Sequence, residues 1–204
     1  MIYVLITTHP SRRFPGKNAL LARYTLDWAA AAALYCHEEV KIVHAGPVPP
    51  DWLPPKVLHL NVLGVDHADD VRRAEKKLNP AADDVLVLAQ LTQPLRHVSL
   101  LQRAAELVRT TRQPVITAAD QPSPAWRVTA PDGTWGAKNK DERRHHDGTL
   151  YAWPPGRSDA IFDRTAPHVI LSAGCRWALV DIDVPGDMPT SLPTLWANAL
   201  HAQP

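Results

Sequence analysis

The sequence predicts an α/β fold: a mostly parallel, doubly wound, Rossmann-like sheet with a small irregular α+β extension. Three observations predict it. Strand and helix patterns alternate as far as residue 119, the main strand patterns are continuous apolar runs, and the regularity stops beyond that point. Unbroken Val, Ile and Leu runs mark strands buried on both faces, as in a parallel sheet covered by helices.

Residues 1–7 form the first such run. The loop at 9–18 sets Pro10, Pro15 and Gly16 among the cations Arg12, Arg13 and Lys17. From 19 to about 35 the chain is rich in Ala and Leu and free of Gly and Pro, which predicts a long helix packed on the sheet. Residues 40–44 read as a second, short strand that runs into a stiff proline-dense connector at 46–56. Helical polarity over 66–78 leads to a third core strand at 84–90. At 98–109, Leu100, Leu101, Ala104, Ala105 and Val108 recur at helical spacing and leave Arg103, Glu106 and Arg109 outside. Residues 114–119 form another strand.

The second half is less regular. Residues 125–130 alternate, Pro131-Asp132-Gly133 signals a turn, and 136–148 is a polar excursion. Strands are expected at 149–153 and 177–183, with a closing helix from about Leu192. The expected organisation is one domain over 1–204, with 125–153 as a small lid or dimerisation excursion.

Composition narrows the function. With 22 Lys+Arg against 21 Asp+Glu, net charge +1, bulk electrostatics supply no general attraction to nucleic acid or an anionic membrane, so any anion site is local. No apolar run approaches the roughly 20 residues of a bilayer span. The first residues lack signal-peptide features, so a cytoplasmic location is expected. Two cysteines, Cys36 and Cys175, are read as reduced thiols.

Three segments carry chemistry. Between the first strand and first helix lies Ser11-Arg12-Arg13-Phe14-Pro15-Gly16-Lys17-Asn18, where backbone N–H groups, a helix N-terminus and cations can meet a polyphosphate. It lacks the spacing of a Walker loop, and a solvated basic loop is the alternative. At the end of the third strand, Gln90-Leu91-Thr92-Gln93-Pro94-Leu95-Arg96 places polar side chains at a strand tip, where hydroxyl-bearing substrates are held; a helix-leading turn is the alternative. In Val180-Asp181-Ile182-Asp183-Val184-Pro185, residues two apart on a strand share a face. Asp181 and Asp183 then offer paired hard carboxylates suited to Mg²⁺, or a pair of solvated strand-end acids.

In order along the chain, these segments resemble the acylneuraminate and 3-deoxy-manno-octulosonate cytidylyltransferase family, which activates acidic keto-sugars as CMP-sugars. Arg13 to Asn18 is similar to the family's K-R-I-P-G-K-N, Ala89 to Arg96 to its L-Q-P-T-S-P-L-R, and Val180 to Met188 to its V-D-I-D-T-P-E-D-L. Ser123-Pro124-Ala125-Trp126 and Asp147-Gly148-Thr149-Leu150-Tyr151 fall where the family has S-P-Y-W and N-G-A-I-Y. The resemblance implies a sheet of nucleotidyltransferase type and transfer of CMP from CTP to an acidic sugar, with release of pyrophosphate. It implies that Thr8, Ser11, Arg12, Arg13, Gly16, Lys17 and Asn18 bind nucleotide, with Lys17 and Arg13 neutralising the leaving phosphates. Asp181 and Asp183 hold Mg²⁺ in the same reading, and Gln90, Thr92, Gln93, Arg96 and Tyr151 position the sugar. A homodimer is also implied.

The chain departs from the family pattern at two loops, in the sugar segment, where Gln93 stands for the usual Ser and Leu91 for the usual Pro, and in a shorter stretch from Trp135 to Gly148. Thr7-Thr8-His9-Pro10-Ser11 stands for A-R-G-G-S, and His44-Ala45-Gly46-Pro47 for a segment that commonly holds S-T-D. Pro10 has no N–H to donate, so the grip on the triphosphate differs. A related nucleotidyltransferase with another nucleotide or acceptor, or a non-catalytic nucleotide-sugar binding homologue, are therefore the alternatives. The run Lys138 to His146 is read as a solvated loop rather than a nucleic-acid contact, and His145, His146 and Asp147 are not read as a metal site. Trp126, Trp135, Trp153 and Trp177 are assigned mainly to packing.

Overall fold

The apolar runs become the middle of a seven-stranded sheet because helices or turns cover both of their faces. The computed structural model describes residues 1–9, 16–51, 53–119, 127–129, 135–137, 145–163, 166–172 and 192–201. In chain order the elements are β1 (Ile2–Thr7), α1 (Lys17–Ala33), β2 (Val40–Gly46), β3 (Leu58–Asn61), α2 (His67–Leu78), β4 (Val85–Ala89), α3 (Ser99–Thr111), β5 (Val115–Ala119), β6 (Arg127–Thr129), β7 (Trp135–Ala137), β8 (His145–Trp153), β9 (Val169–Ser172) and α4 (Leu192–His201). The sheet order is β3-β2-β1-β4-β8-β5-β9, and β6 and β7 form a separate antiparallel ribbon. All pairings in the large sheet are parallel except those of β8, which runs antiparallel to both β4 and β5. The α/β doubly wound expectation holds, with one reversed strand in the sheet.

Period-two alternation divides the core into two layers. Ile2, Val4 and Ile6 of β1, Val85, Val87 and Ala89 of β4, and Leu150 and Ala152 of β8 face the layer built with α1, α3 and α4. Leu5, Leu86, Leu88, Tyr151 and Trp153 face the opposite layer, where Val71 and Ala74 of α2 and the turn residue Ile161 pack. Trp28 anchors the first layer: it is fully buried, and its indole N–H donates to the His97 carbonyl at 3.2 Å. Trp153, also fully buried, does the packing work expected of it.

Local chemistry explains the helix ends. The Asp66 side chain accepts from the Asp69 N–H at 2.8 Å and caps α2, whose last turn carries Lys76 and Lys77 against the carbonyl end. Asn79 and Arg112 stop α2 and α3 in the left-handed region, at φ 45° and 56°. Four strands differ from expectation. β3, β7 and β9, of three or four residues each, had no strand signal, and β8 begins at His145 inside the stretch read as a polar excursion. Its backbone is ordered there by pairing with Ala118 and Ala119 of β5. The expected strand at 177–183 lies outside the described residues.

Topology positions a crevice. The β1–α1–β2 unit winds to one side of β1, whereas α2 returns the chain from β3 to β4 on its other side. The order therefore reverses between β1 and β4, and ligands of doubly wound sheets bind beyond the strand tips at that reversal. Those tips are Thr7 and Ala89.

Candidate functional site at the sheet reversal

Two segments that carried sequence signals leave the sheet at these tips, the first of them described only at its two ends. The first begins at Thr8, whose N–H extends the β1–β2 ladder to the Ala45 carbonyl at 3.0 Å. Its side-chain hydroxyl is hydrogen-bonded to His44 Nε2 at 2.9 Å. His9 Nδ1 lies 2.7 Å from Asp70 Oδ2, and the His9 carbonyl accepts from the Asn18 side-chain amide. The loop ends at Gly16, where φ 80° suits a residue without Cβ and the space around it is open. α1 then starts with no side-chain cap and no acid in its first turn, so its N–H groups and dipole favour an anion. Lys17 opens this helix and is 5% exposed. Thr8 at the start of the β1–α1 connection and Gly16, Lys17 and Asn18 at its end are thus brought near one another by the bond from Asn18 to the His9 carbonyl. Ser11, Arg12 and Arg13 lie outside the described residues.

The second loop forms a polar seam with β8. Gln90 Nε2 is 3.5 Å from the Tyr151 hydroxyl, and the Thr149 hydroxyl donates to Gln93 Oε1 at 3.0 Å. Arg96 is 1% exposed and spans the seam from below: Nε donates to the Thr149 carbonyl at 2.9 Å, Nη1 to Thr25 Oγ1 at 3.4 Å, and Nη2 to the Gln90 carbonyl. Its guanidinium also lies 5.1 Å from the Trp28 ring centroid. The structure brings Gln90, Gln93, Arg96 and Tyr151 together. Gln90 and Thr92 are half-buried, whereas Gln93 and Arg96 are engaged within the protein and shape the loop.

Sequence reasoning missed a histidine-rich group on the α2 side of the crevice. His44 on β2 is opposite His59 on β3 in the register, their rings stack at 5.2 Å, and the two Nδ1 atoms share a hydrogen bond of 3.0 Å. Burial first, and the neighbouring His59 second, lower the His44 pKa to about 4. His67, the first residue of α2, is hydrogen-bonded through Nδ1 to the Thr7 hydroxyl at 2.9 Å and meets Phe162 edge-on at 6.0 Å. Burial lowers its pKa as well, so both rings are held neutral near pH 7. The available signal was the pair His44 and Gly46 closing the apolar end of the strand, after Ile42 and Val43. A Cβ at Gly46 would collide with the Thr8 hydroxyl and press on His44. Gly46→Ala should therefore turn Thr8 away, leave His44 Nε2 without its partner, and cost about 1–3 kcal/mol in urea unfolding. Unchanged stability would show that the contact matters little.

Among the described residues no group of three or more His, Cys, Asp or Glu side chains is arranged to hold a metal ion, and no helix is long and apolar enough to cross a membrane. Asp181 and Asp183 are outside the described residues. Cys36 is a free thiol, pushed up to about 11 by burial and then by Glu38 and Glu106, which favours its protonated form.

The architecture is an α/β fold built on one mostly parallel, doubly wound sheet. No protein-family profile matches the chain, and no curated protein does. Solved structures do. A 4-diphosphocytidyl-2C-methyl-D-erythritol synthase from Anaerococcus prevotii DSM 20548 aligns at TM-score 0.60 and 14% identity, covering 97% of each chain. A second 4-diphosphocytidyl-2C-methyl-D-erythritol synthase aligns at 0.62 and 14% identity, over 91% of this chain and 94% of its own. Rv0371c from Mycobacterium tuberculosis H37Rv aligns at 0.61 and 15% identity, over 97% and 98%. At these identities the likeness establishes the fold.

Proposed function

We propose that the protein is a cytidylyltransferase that transfers CMP from CTP to an acidic keto-sugar and releases pyrophosphate. The observation that carries this reading is that the β1–α1 and β4–α3 connections leave neighbouring strand ends at the sheet reversal, one leading to an uncapped helix N-terminus with Lys17, the other carrying Gln90 and Thr92. The fold shared with two diphosphocytidyl-methylerythritol synthases supports it.

In this reading the anomeric hydroxyl of the sugar attacks the α-phosphorus, the bond to the bridging oxygen breaks, and pyrophosphate leaves with the electron pair. Lys17, the α1 N-terminus, Arg13 and Arg12 neutralise the triphosphate while Ser11 and Gly16 contribute to nucleotide binding, and charge stabilisation of this kind is commonly the largest catalytic contribution. Thr8 and Asn18 shape the loop, while Gln90, Thr92 and Tyr151 orient the acceptor over the seam that Gln93 and Arg96 hold. Asp181 and Asp183 are the hard oxygen donors suited to Mg²⁺, which supplies charge neutralisation at the phosphates when bound. A homodimer in the cytoplasm completes the proposal.

The test mixes the protein with CTP, Mg²⁺ and a panel of keto-acid sugars, with 2C-methyl-D-erythritol phosphate as the comparison acceptor. Pyrophosphate release with a keto-acid sugar is expected, and Asp183→Asn should abolish it while leaving the melting temperature nearly unchanged. If no nucleotide gives pyrophosphate with any acceptor, the catalytic reading fails. The altered segments Thr8 to Pro10 and His44 to Pro47 favour a second reading, a related nucleotidyltransferase with another nucleotide or acceptor. Thermal-shift screening of the four nucleoside triphosphates separates the two, since a ligand at 100 times its Kd adds about 2.7 kcal/mol. Binding without turnover would instead indicate a non-catalytic nucleotide-sugar binding protein.

A further inference from the structure

Thr8 and His9 are each held by main chain and by a side chain from a distant segment. The Thr8 N–H is bonded to Ala45 and its hydroxyl to His44, which is fully buried on β2 and itself bonded to His59 on β3. The His9 carbonyl accepts from Asn18, and its ring meets Asp70 on α2. Asp70 is fully buried, and both of its oxygens are used: Oδ2 faces His9, and Oδ1 accepts from the Gly64 N–H. Burying a carboxylate is costly, and an apolar residue would pack the same space more cheaply. Asp66 already caps α2, so helix capping does not account for Asp70. Its carboxylate instead links the Gly64 N–H to the His9 ring at the start of the β1–α1 connection. His44 is a parallel case, a polar ring inside an apolar strand end whose outer nitrogen meets the loop hydroxyl.

We propose that His44 and Asp70 are positioning residues for nucleotide binding: they seat Thr8 and His9 against β2 and α2 and so set the base of the β1–α1 loop. The His9 carbonyl passes this placement to Asn18, and the neighbouring residue is Lys17 in the first turn of α1. Side-chain anchors thus fix a connection whose first residues carry no glycine between Thr7 and Gly16. This inference rests on the nucleotide reading of the loop, and it assigns two residues that contact no phosphate.

The test uses the full chain, MgCTP titration, and hydrogen exchange of the Thr8, His9, Lys17 and Asn18 amides. Asp70→Ala and His44→Leu should each weaken MgCTP binding by about tenfold or more. Asp70→Asn keeps the volume and one carbonyl acceptor and should recover much of the loss. Thr8→Val removes only the hydroxyl, and it should weaken binding about as much as His44→Leu, with the double variant no worse than either single one. Additive losses, or unchanged Kd in variants whose stability falls, would reduce both residues to structural roles. If the intact chain binds none of the four nucleoside triphosphates with Mg²⁺, the nucleotide reading falls with its positioning role. The anchors are then judged by exchange alone: about tenfold faster exchange in the variants supports them, and unchanged exchange overturns them.

Discussion

Arg96→Met is expected to destabilise the protein by about 3–5 kcal/mol and to lower its melting temperature by roughly 10 °C. The guanidinium is 1% exposed and ties three segments, reaching the carbonyls of Gln90 and Thr149 and the Thr25 hydroxyl while lying against Trp28. Methionine fills similar volume and supplies no donor. Each buried carbonyl left without one costs about 1–3 kcal/mol, and the β4–α3 loop loses the clamp that joins it to β8. Arg96→Lys should recover less than half of the loss, because an ammonium on a flexible stem cannot reach three acceptors in the fixed fork of a guanidinium. The same pair of variants distinguishes two roles. A residue that grips the acceptor directly would raise the acceptor KM with stability intact, whereas a clamp lowers the denaturation midpoint first. A stability loss below about 1 kcal/mol would show that the clamp carries little.

Arg96 also shows where sequence reading stops. The loops at both tips of the reversal were legible because turn residues and cations stand between clear strand and helix patterns, as in His9 to Asn18 and Gln90 to Arg96. Whether a loop cation faces the crevice or the core is a tertiary property, and the sequence offers no period from which to decide it. β1 and β4 were readable because covering both faces requires unbroken apolar runs. β3 was not, since Leu58–Asn61 interleaves His59 and Asn61 at a sheet edge, and half of its residues face outward. The beginning of β8 looked like a polar excursion because its pairing with β5 uses main-chain groups that any side chain permits. His9, His44, His59, and the α2 pair His67 and Asp70 come from four separate segments of the chain. Only the β1–β2–β3 register and the return of α2 bring them to one edge of the crevice.

Acidification should destabilise the protein between about pH 6.5 and pH 4, and His44 should account for a measurable share. In the unfolded chain the ring titrates near 6.5, whereas in the fold burial and the adjacent His59 lower it to about 4. Between these values the unfolded state binds the extra proton and the native state does not, so stability falls as pH falls and levels off below the folded value. The full interval corresponds to about 3 kcal/mol at most. His67 and His168 add losses of the same sign, since burial lowers both. Geometry gives the His44 contribution its mechanism. One proton between the two Nδ1 atoms joins the rings, and the bond to the Thr8 hydroxyl uses the other nitrogen. A second proton on His44 turns both of its ring nitrogens into donors, so the ring can no longer accept a hydrogen bond from either Thr8 or His59. Chemical unfolding of the wild type and His44→Asn across this range isolates the residue from the others. The variant should start less stable at neutral pH and lose less on acidification, so that the two curves converge towards pH 4. Parallel curves would mean that His44 titrates normally in the fold and that its link to Thr8 does not depend on the proton it shares.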